Sequence, residues 1–184
     1  MMKQVFLYAS VFLLFASCKK NEVPVSVSAE SGVTQKINEL YSTYGNSNDA
    51  LYHKPFSSSL FSPELKKVLE EAVNASKADI EKVKKSDHPD EKPLLFEGAV
   101  FSSLYEGYTS YKIKSVTINP SGTSSIAAVD FEYTLSPPTV TWTDKVYLIK
   151  SGHEWKIDDI KFDSIGNSKD LKASLKDFVQ STKQ

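Results

Sequence analysis

The sequence predicts an α+β domain in which N-terminal helices pack on a curved, cone-like antiparallel sheet and a short helix closes the chain. Three observations carry this prediction. Apolar residues recur at helical spacing from about residue 32 to 85, alternate with polar residues from about residue 94 onward, and return to helical spacing over 168–180. Helices followed by a meander of bent strands are typical of the α+β class.

The first helix is predicted from Gly32 to Tyr44, because Val33, Ile37 and Leu40 fall on one face together with Tyr41 and Tyr44. Gly45 supplies a stop signal. The stretch 49–61 that follows is interpreted as an irregular, partly buried connector or a short helix.

The second helix is predicted to begin at Ser62, whose hydroxyl suits an N-cap, with Pro63 and Glu64 in the first turn. It runs to about Lys85. Its weakest point is the stretch 74–76, where the helix could divide.

Strands are predicted over 111–118, 129–135, 140–150 and 155–163. Along the last of these the apolar parity changes near Asp158 and Asp159, which indicates a β-bulge. A similar change falls between Ile113 and Val116, so we expect two neighbouring strands to bend together. The closing helix is predicted over 168–180 with Ser168 as its cap.

The composition is that of one globular domain: 184 residues, of which 40% are apolar and 24% charged. The 22 basic residues are all lysines and are matched by 23 acidic ones. Binding to nucleic acid requires clustered positive charge and commonly uses the arginine fork. We therefore expect no nucleic-acid partner.

Residues 1–17 have the pattern of a signal peptide. Lys3 is followed by an apolar run from Val5 to Phe15 and then by small Ala16 and Ser17. The run is too short for a transmembrane helix, which needs about 20 apolar residues. We predict that this segment directs export and is not part of the fold.

The sequence Leu14-Phe15-Ala16-Ser17-Cys18 resembles the lipobox of bacterial lipoproteins, although Phe15 stands where leucine is usual. The resemblance implies cleavage before Cys18, attachment of acyl chains such as palmitate to that residue, and a membrane anchor. The alternative is an ordinary secreted protein with one spare thiol. Residues 18–31 are interpreted as the lipidated cysteine and a flexible tether, and 32–184 as a single domain.

The residue after the cysteine is Lys19, which in this class of lipoproteins resembles a signal for transfer to the outer membrane of a Gram-negative bacterium. Lysine followed by an acidic residue also resembles a surface-export signal. The expected location is therefore the cell envelope, with the periplasmic and surface faces left as alternatives.

The domain resembles the nuclear-transport-factor-2-like, SnoaL-like cone of small bacterial lipoproteins. The matching pieces are Tyr41–Tyr44, Leu94–Gly98 and Val146–Ile149 leading into the Trp155 strand. The resemblance implies a pocket between sheet and helices, an Asp or Asp–His general base in enzyme members, and a homodimer through the open sheet face. A cystatin-like or lipocalin-like barrel is the alternative for the strand-rich half.

Metal and cofactor chemistry have little support in the sequence. His53, His88 and His153 all fall in turn-like contexts, and none has a partner at metal-ligand spacing. There is no Gly-x-Ser-x-Gly motif and no glycine-rich phosphate loop. We therefore predict no metal site, no cofactor and no catalytic residues.

Aromatic residues are the more informative class. Tyr105 and Tyr108 flank an irregular stretch and could form the rim of a pocket, whereas Trp142, between two threonines after Pro137-Pro138, is predicted to be an exposed edge aromatic. The candidate pocket or partner contacts are Tyr44, Tyr105, Tyr108, Trp142, Trp155 and Asp159.

These features favour a non-enzymatic cell-envelope lipoprotein that presents a domain for binding a small ligand or an envelope protein. The first alternative is a small lyase, isomerase or hydrolase with a buried carboxylate as general base. The candidate bases are Asp130, Glu132, Asp158, Asp159 and Asp163. The second alternative, an immunity or inhibitor protein, requires an exposed apolar patch around Trp142.

Overall fold

The computed structural model describes residues 25–45, 48–163, 165 and 170–183 and confirms the predicted α+β class. The predicted signal peptide and Cys18 lie outside the described residues. The described elements are helices α1 (Val25–Tyr44), α2 (Asp49–His53) and α3 (Pro63–Lys84), strands β1 (Ser110–Ile118), β2 (Ser124–Tyr133), β3 (Val140–Ser151) and β4 (Glu154–Lys161), and helix α4 (Leu171–Ser181).

Helix α1 begins at Val25, seven residues before the predicted start, so residues 25–31 of the predicted tether are helical. Valine and serine cost only a few tenths of a kcal/mol relative to better helix formers, and extending a helix is much easier than nucleating one. The face predicted from periodicity packs on the core, where Val33, Ile37 and Leu40 are completely buried. Packing downstream therefore outweighs the weak local pattern.

Helix α3 agrees closely with its prediction. The Ser62 hydroxyl accepts a hydrogen bond from the backbone N–H of Leu65 at 3.1 Å, which confirms the N-cap. The helix passes through 74–76 without a break, because Ser76 is completely buried and its hydroxyl is hydrogen-bonded.

The four described strands form an antiparallel sheet in the order β1-β2-β3-β4. The register shifts between Ile113 and Ser115 in β1, and β4 contains an extra residue at Asp158, so both predicted bulges are confirmed. The prediction that these two strands are neighbours is wrong, because β1 and β4 form the opposite edges of the sheet. Because these edges do not pair with each other, the described strands do not close into a barrel.

Helix α1 contacts both edge strands, so the curved sheet approaches this helix along its two sides. Helix α3 packs against α4 and β4. Helix α4 begins at Leu171, and its cap is Asp170, which accepts a hydrogen bond from the N–H of Ala173 at 2.7 Å. The prediction of Ser168 as the cap is therefore wrong, and Ser168 itself lies outside the described residues. Within the described ranges, no helix is long and apolar enough to cross a membrane.

Candidate functional site

Four of the predicted contact residues lie in the core. Tyr44, Tyr108, Trp142 and Trp155 are each less than a tenth exposed. The prediction that Trp142 is an exposed edge aromatic is wrong. Trp142 lies opposite Phe131 in the β2–β3 register, and the two rings stack with centroids 5.3 Å apart.

Asp159 is half-buried beside the start of α4. One of its carboxylate oxygens accepts hydrogen bonds from the backbone N–H groups of Ile160 at 2.9 Å and Lys172 at 3.1 Å. Burial raises the pKa of Asp159, and these two hydrogen bonds oppose the shift. The carboxylate therefore attaches α4 to β4.

Tyr105 is the predicted contact residue that remains exposed, with 58% of its surface accessible. It lies on a hollow of about 500 Å³ between the segment 96–106 and helix α4, which we call the α4 groove. The walls are largely apolar. Phe96 from the segment and Phe178 from α4 stack with ring centroids 4.1 Å apart, and Phe162 and Leu175 also line the hollow.

Within the described part of the chain, the segment that carries Phe96 pairs with no strand. Side chains of α3, of α2 and of the α2 N-cap residue hold it. Leu94 donates its N–H to Asp79 at 2.7 Å, and its carbonyl oxygen accepts a hydrogen bond from Ser76 at 3.1 Å. Phe96 donates its N–H to the Tyr52 hydroxyl at 2.9 Å, and its carbonyl accepts from the Asn48 amide. Polar side chains thus replace the neighbouring strand that an extended segment normally needs.

The proton directions in this network follow from the donors available. A hydroxyl group has one proton, and the Ser76 proton goes to the carbonyl of Leu94, which can only accept. The 2.8 Å contact between Tyr52 and Ser76 is therefore donated by Tyr52, whose lone pair accepts from Phe96. The result is a chain of hydrogen bonds, which we call the relay. It runs from the N–H of Phe96 through the hydroxyls of Tyr52 and Ser76 to the carbonyl of Leu94.

A tight loop follows Phe96 in the chain. The N–H of Ala99 donates to the carbonyl of Tyr105 at 2.9 Å, and Gly98 has a φ of +68°. A Cβ atom at Gly98 would collide with the carbonyl oxygen and the ring of Tyr105. Glycine is therefore required here, and the loop presents Tyr105 at the groove.

Asp144, a carboxylate that was not among the predicted residues, lies behind the groove without exposed surface. It accepts hydrogen bonds from the N–H of Ser103 at 3.0 Å, the N–H of Asp163 at 2.9 Å, the indole of Trp142 at 3.3 Å and the Ser103 hydroxyl. Burial raises its pKa, and these bonds act in the opposite direction. A signal existed in the sequence, because Asp144 shares strand parity with Trp142 and Val146.

The arrangement around Asp144 is structural rather than catalytic. A general base needs a lone pair directed at its substrate, whereas both oxygens of Asp144 already accept protein donors. The carboxylates predicted as bases are also engaged. Among them, Asp130 accepts from Thr143 at 2.6 Å and pairs with Lys114 at 3.4 Å, and Asp158 pairs with Lys172 at 3.1 Å.

Of the other two candidate bases, Glu132 lies in β2 and Asp163 lies two residues after the end of β4. Glu132 accepts a hydrogen bond from the Ser110 hydroxyl at 3.3 Å, and Asp163 accepts one from the N–H of Thr143 at 3.3 Å. A wider and more open hollow of about 670 Å³ includes both of them together with Lys112 and Lys114. Among the described residues, no group of three or more His, Cys, Asp or Glu side chains could hold a metal ion.

Comparison of the chain with protein-family models, curated proteins and solved structures found no match. The resemblance to SnoaL-like lipoproteins therefore stays a prediction. The fold and site define an α+β domain with an open, curved sheet and one apolar groove beside its last helix.

Proposed function

We propose that this protein is a non-enzymatic, lipid-anchored protein of the cell envelope whose domain binds a small, largely apolar ligand in the α4 groove. The observation that carries the binding proposal is the groove wall, in which Phe96 and Phe178 are stacked beside an open hollow of about 500 Å³. A concave apolar site of this size is typical of small-molecule binding.

The distribution of exposed apolar side chains supports the same site. Five large apolar residues are exposed in the described part of the chain, and two of them, Tyr105 and Ile165, line the α4 groove. The immunity or inhibitor alternative requires an exposed apolar patch around Trp142. Because Trp142 is buried, this alternative has little support. The engaged carboxylates give the enzyme alternative little support.

A neutral apolar dye, N-phenyl-1-naphthylamine, tests the groove. A chain of residues 19–184 keeps every residue of the described core, and its titration with the dye should give a saturable rise in fluorescence. Ser174 lines the groove from α4, so Ser174→Trp should fill the hollow and weaken dye binding at least tenfold.

The matched control is Ser181→Trp, which places the same ring at an exposed position on the same helix and should leave dye binding unchanged. Equal binding by both variants, or no saturable binding by the parent chain, would contradict the groove as a ligand site.

The anchor is tested separately with the full chain in cells supplied with labelled palmitate. Two or three acyl chains would hold a protein on a bilayer, because each buried methylene contributes about 0.8 kcal/mol. Cys18→Ser should abolish incorporation of the label. A variant that still incorporates the label would exclude Cys18 as the lipidated residue.

A further inference from the structure

The α4 groove differs in charge from the rest of the surface. Among the described residues that line the groove there is no lysine, whereas Glu97 and Glu106 are both present. Both carboxylates lie beside Tyr105: its hydroxyl donates to Glu97 at 3.3 Å, and Glu106 is the next residue in the chain. The negative charge is therefore placed at one wall of a largely apolar hollow.

The two carboxylates are not equivalent. Glu97 pairs with Lys92 at 2.7 Å and accepts the Tyr105 hydroxyl, and the Lys92 hydrogen bond lowers the pKa of Glu97. Within the described part of the chain, no hydrogen bond or ion pair to the side chain of Glu106 is formed. Glu106 is thus the carboxylate available to a ligand.

The exposed ring of Tyr105 adds a second feature that attracts cations. An ammonium group within about 6 Å of an aromatic face is attracted by the negative electrostatic potential of that face. An aromatic face next to a free carboxylate favours a protonated amine, while a fatty acid carboxylate would face like charge from Glu106.

We propose that the ligand of the α4 groove is an amphiphilic primary amine, with its apolar chain against the stacked rings of Phe96 and Phe178 and its ammonium group at Tyr105 and Glu106. This inference rests on the proposed function and adds the chemical class of the ligand. The stacked phenylalanines supply the apolar contact, the Tyr105 ring supplies an aromatic face, and Glu106 supplies the negative charge.

Three probes of equal chain length, octylamine, octanol and octanoate, test the inference by displacing N-phenyl-1-naphthylamine from the chain of residues 19–184. Octylamine should displace the dye with a Kd at least tenfold lower than that of octanoate, with octanol between them. Because the preference is electrostatic at an exposed wall, added salt should narrow the difference between amine and carboxylate.

Glu106→Gln should raise the Kd of octylamine at least threefold and leave that of octanol unchanged. Glu154→Gln removes another exposed carboxylate, at a hairpin outside the groove, and should change neither value. Glu97→Gln is a poorer test, because it would also release Lys92.

The outcomes separate the two proposals. If the dye itself shows no saturable binding, the proposed function fails. If the dye binds but octanoate displaces it as well as octylamine does, the groove stands as an apolar site and the amine inference is overturned. An equal rise in the Kd of octylamine and octanol in Glu106→Gln would also overturn it, because Glu106 would then contribute to binding through something other than its charge.

Discussion

The carboxylate of Asp144 accepts hydrogen bonds from both the backbone N–H and the hydroxyl of Ser103, a residue 41 positions earlier in the chain. Ser103 lines the α4 groove, and Asp144 is completely buried in β3. One buried side chain thus connects the loop that carries the groove to the sheet. The groove wall owes its position to this contact and to the relay through Tyr52 and Ser76.

Replacing Asp144 should therefore destabilise the whole domain. Asp144→Ala leaves the N–H of Ser103 and the indole of Trp142 without an acceptor, whereas the N–H of Asp163 keeps the Ser103 hydroxyl at 2.7 Å. Each unsatisfied buried donor costs about 1–3 kcal/mol. We expect a loss of about 3 kcal/mol or more in the free energy of unfolding, measured with urea. The control is Asp130→Ala, at a half-exposed carboxylate, which should lower the free energy of unfolding by less than about 1 kcal/mol. Equal losses for the two variants would show that Asp144 contributes no more than a surface carboxylate.

The hydroxyl of Tyr41 presents the opposite case. It is buried and has no hydrogen-bond partner among the described residues, and burial raises its pKa well above the ordinary value. Removing an unsatisfied buried hydroxyl relieves its desolvation cost, so Tyr41→Phe should raise the free energy of unfolding by about 1 kcal/mol. A decrease in the urea midpoint would show that the hydroxyl has a partner, such as a buried water molecule.

The relay through Tyr52 and Ser76 should behave as one unit. Tyr52→Phe and Ser76→Ala should each lower the free energy of unfolding by about 1–2 kcal/mol, because each leaves a polar group of the segment 94–96 unsatisfied. The double variant should lose less than the sum of the two single losses, since the hydroxyls are 2.8 Å apart.

Asn74→Ala, at an exposed position on the same helix, is the control for helix propensity and should have little effect. Strictly additive losses for Tyr52 and Ser76 would argue against the relay.

The ion pairs that hold α4 against the rest of the domain should make stability depend on pH. Lys172 lies 3.2 Å from Glu64 and 3.1 Å from Asp158. Its hydrogen bond lowers the pKa of Glu64; burial alone would lower the pKa of Lys172, but its hydrogen bonds to Asp158 and Glu64 raise it.

A carboxylate with a lowered pKa stabilises the folded state at pH values above its ordinary pKa. This stabilisation is lost as the pH falls through the lowered pKa. A lysine with a raised pKa stabilises the folded state at pH values below its ordinary pKa. This stabilisation is lost as the pH rises through the raised pKa. Lys172→Met should therefore cost roughly 0.5–1 kcal/mol near pH 7 and less near pH 3, measured by urea unfolding.

Lys176→Met serves as the matched control, because this lysine is mostly exposed and lies 3.5 Å from Glu64. Its effect should be smaller than that of Lys172→Met near pH 7. A cost of Lys172→Met that does not change between the two pH values would show that its packing, not its charge, stabilises α4.

Local patterns in the sequence were sufficient for the fold class and several of its details. The Ser62 cap depends on residues 62–65, and each bulge follows from a change of parity within one strand. Such features need only neighbouring residues, so periodicity and capping chemistry predict them. The start of α1 was not predictable in this way, because packing of its later turns decides how far the helix extends.

The candidate site was decided by tertiary structure. Tyr105 was predicted at a pocket rim, but the groove itself requires Phe96 to meet Phe178, and Leu94 to meet Ser76 and Asp79. Trp142 and Asp144 are buried because β2, the loop before β1 and the end of β4 all meet at β3. The sequence by itself determined which segments form helices and strands, since those depend on local spacing. Only the folded chain determined the groove and the buried carboxylate behind it, because both are made by residues far apart in the sequence.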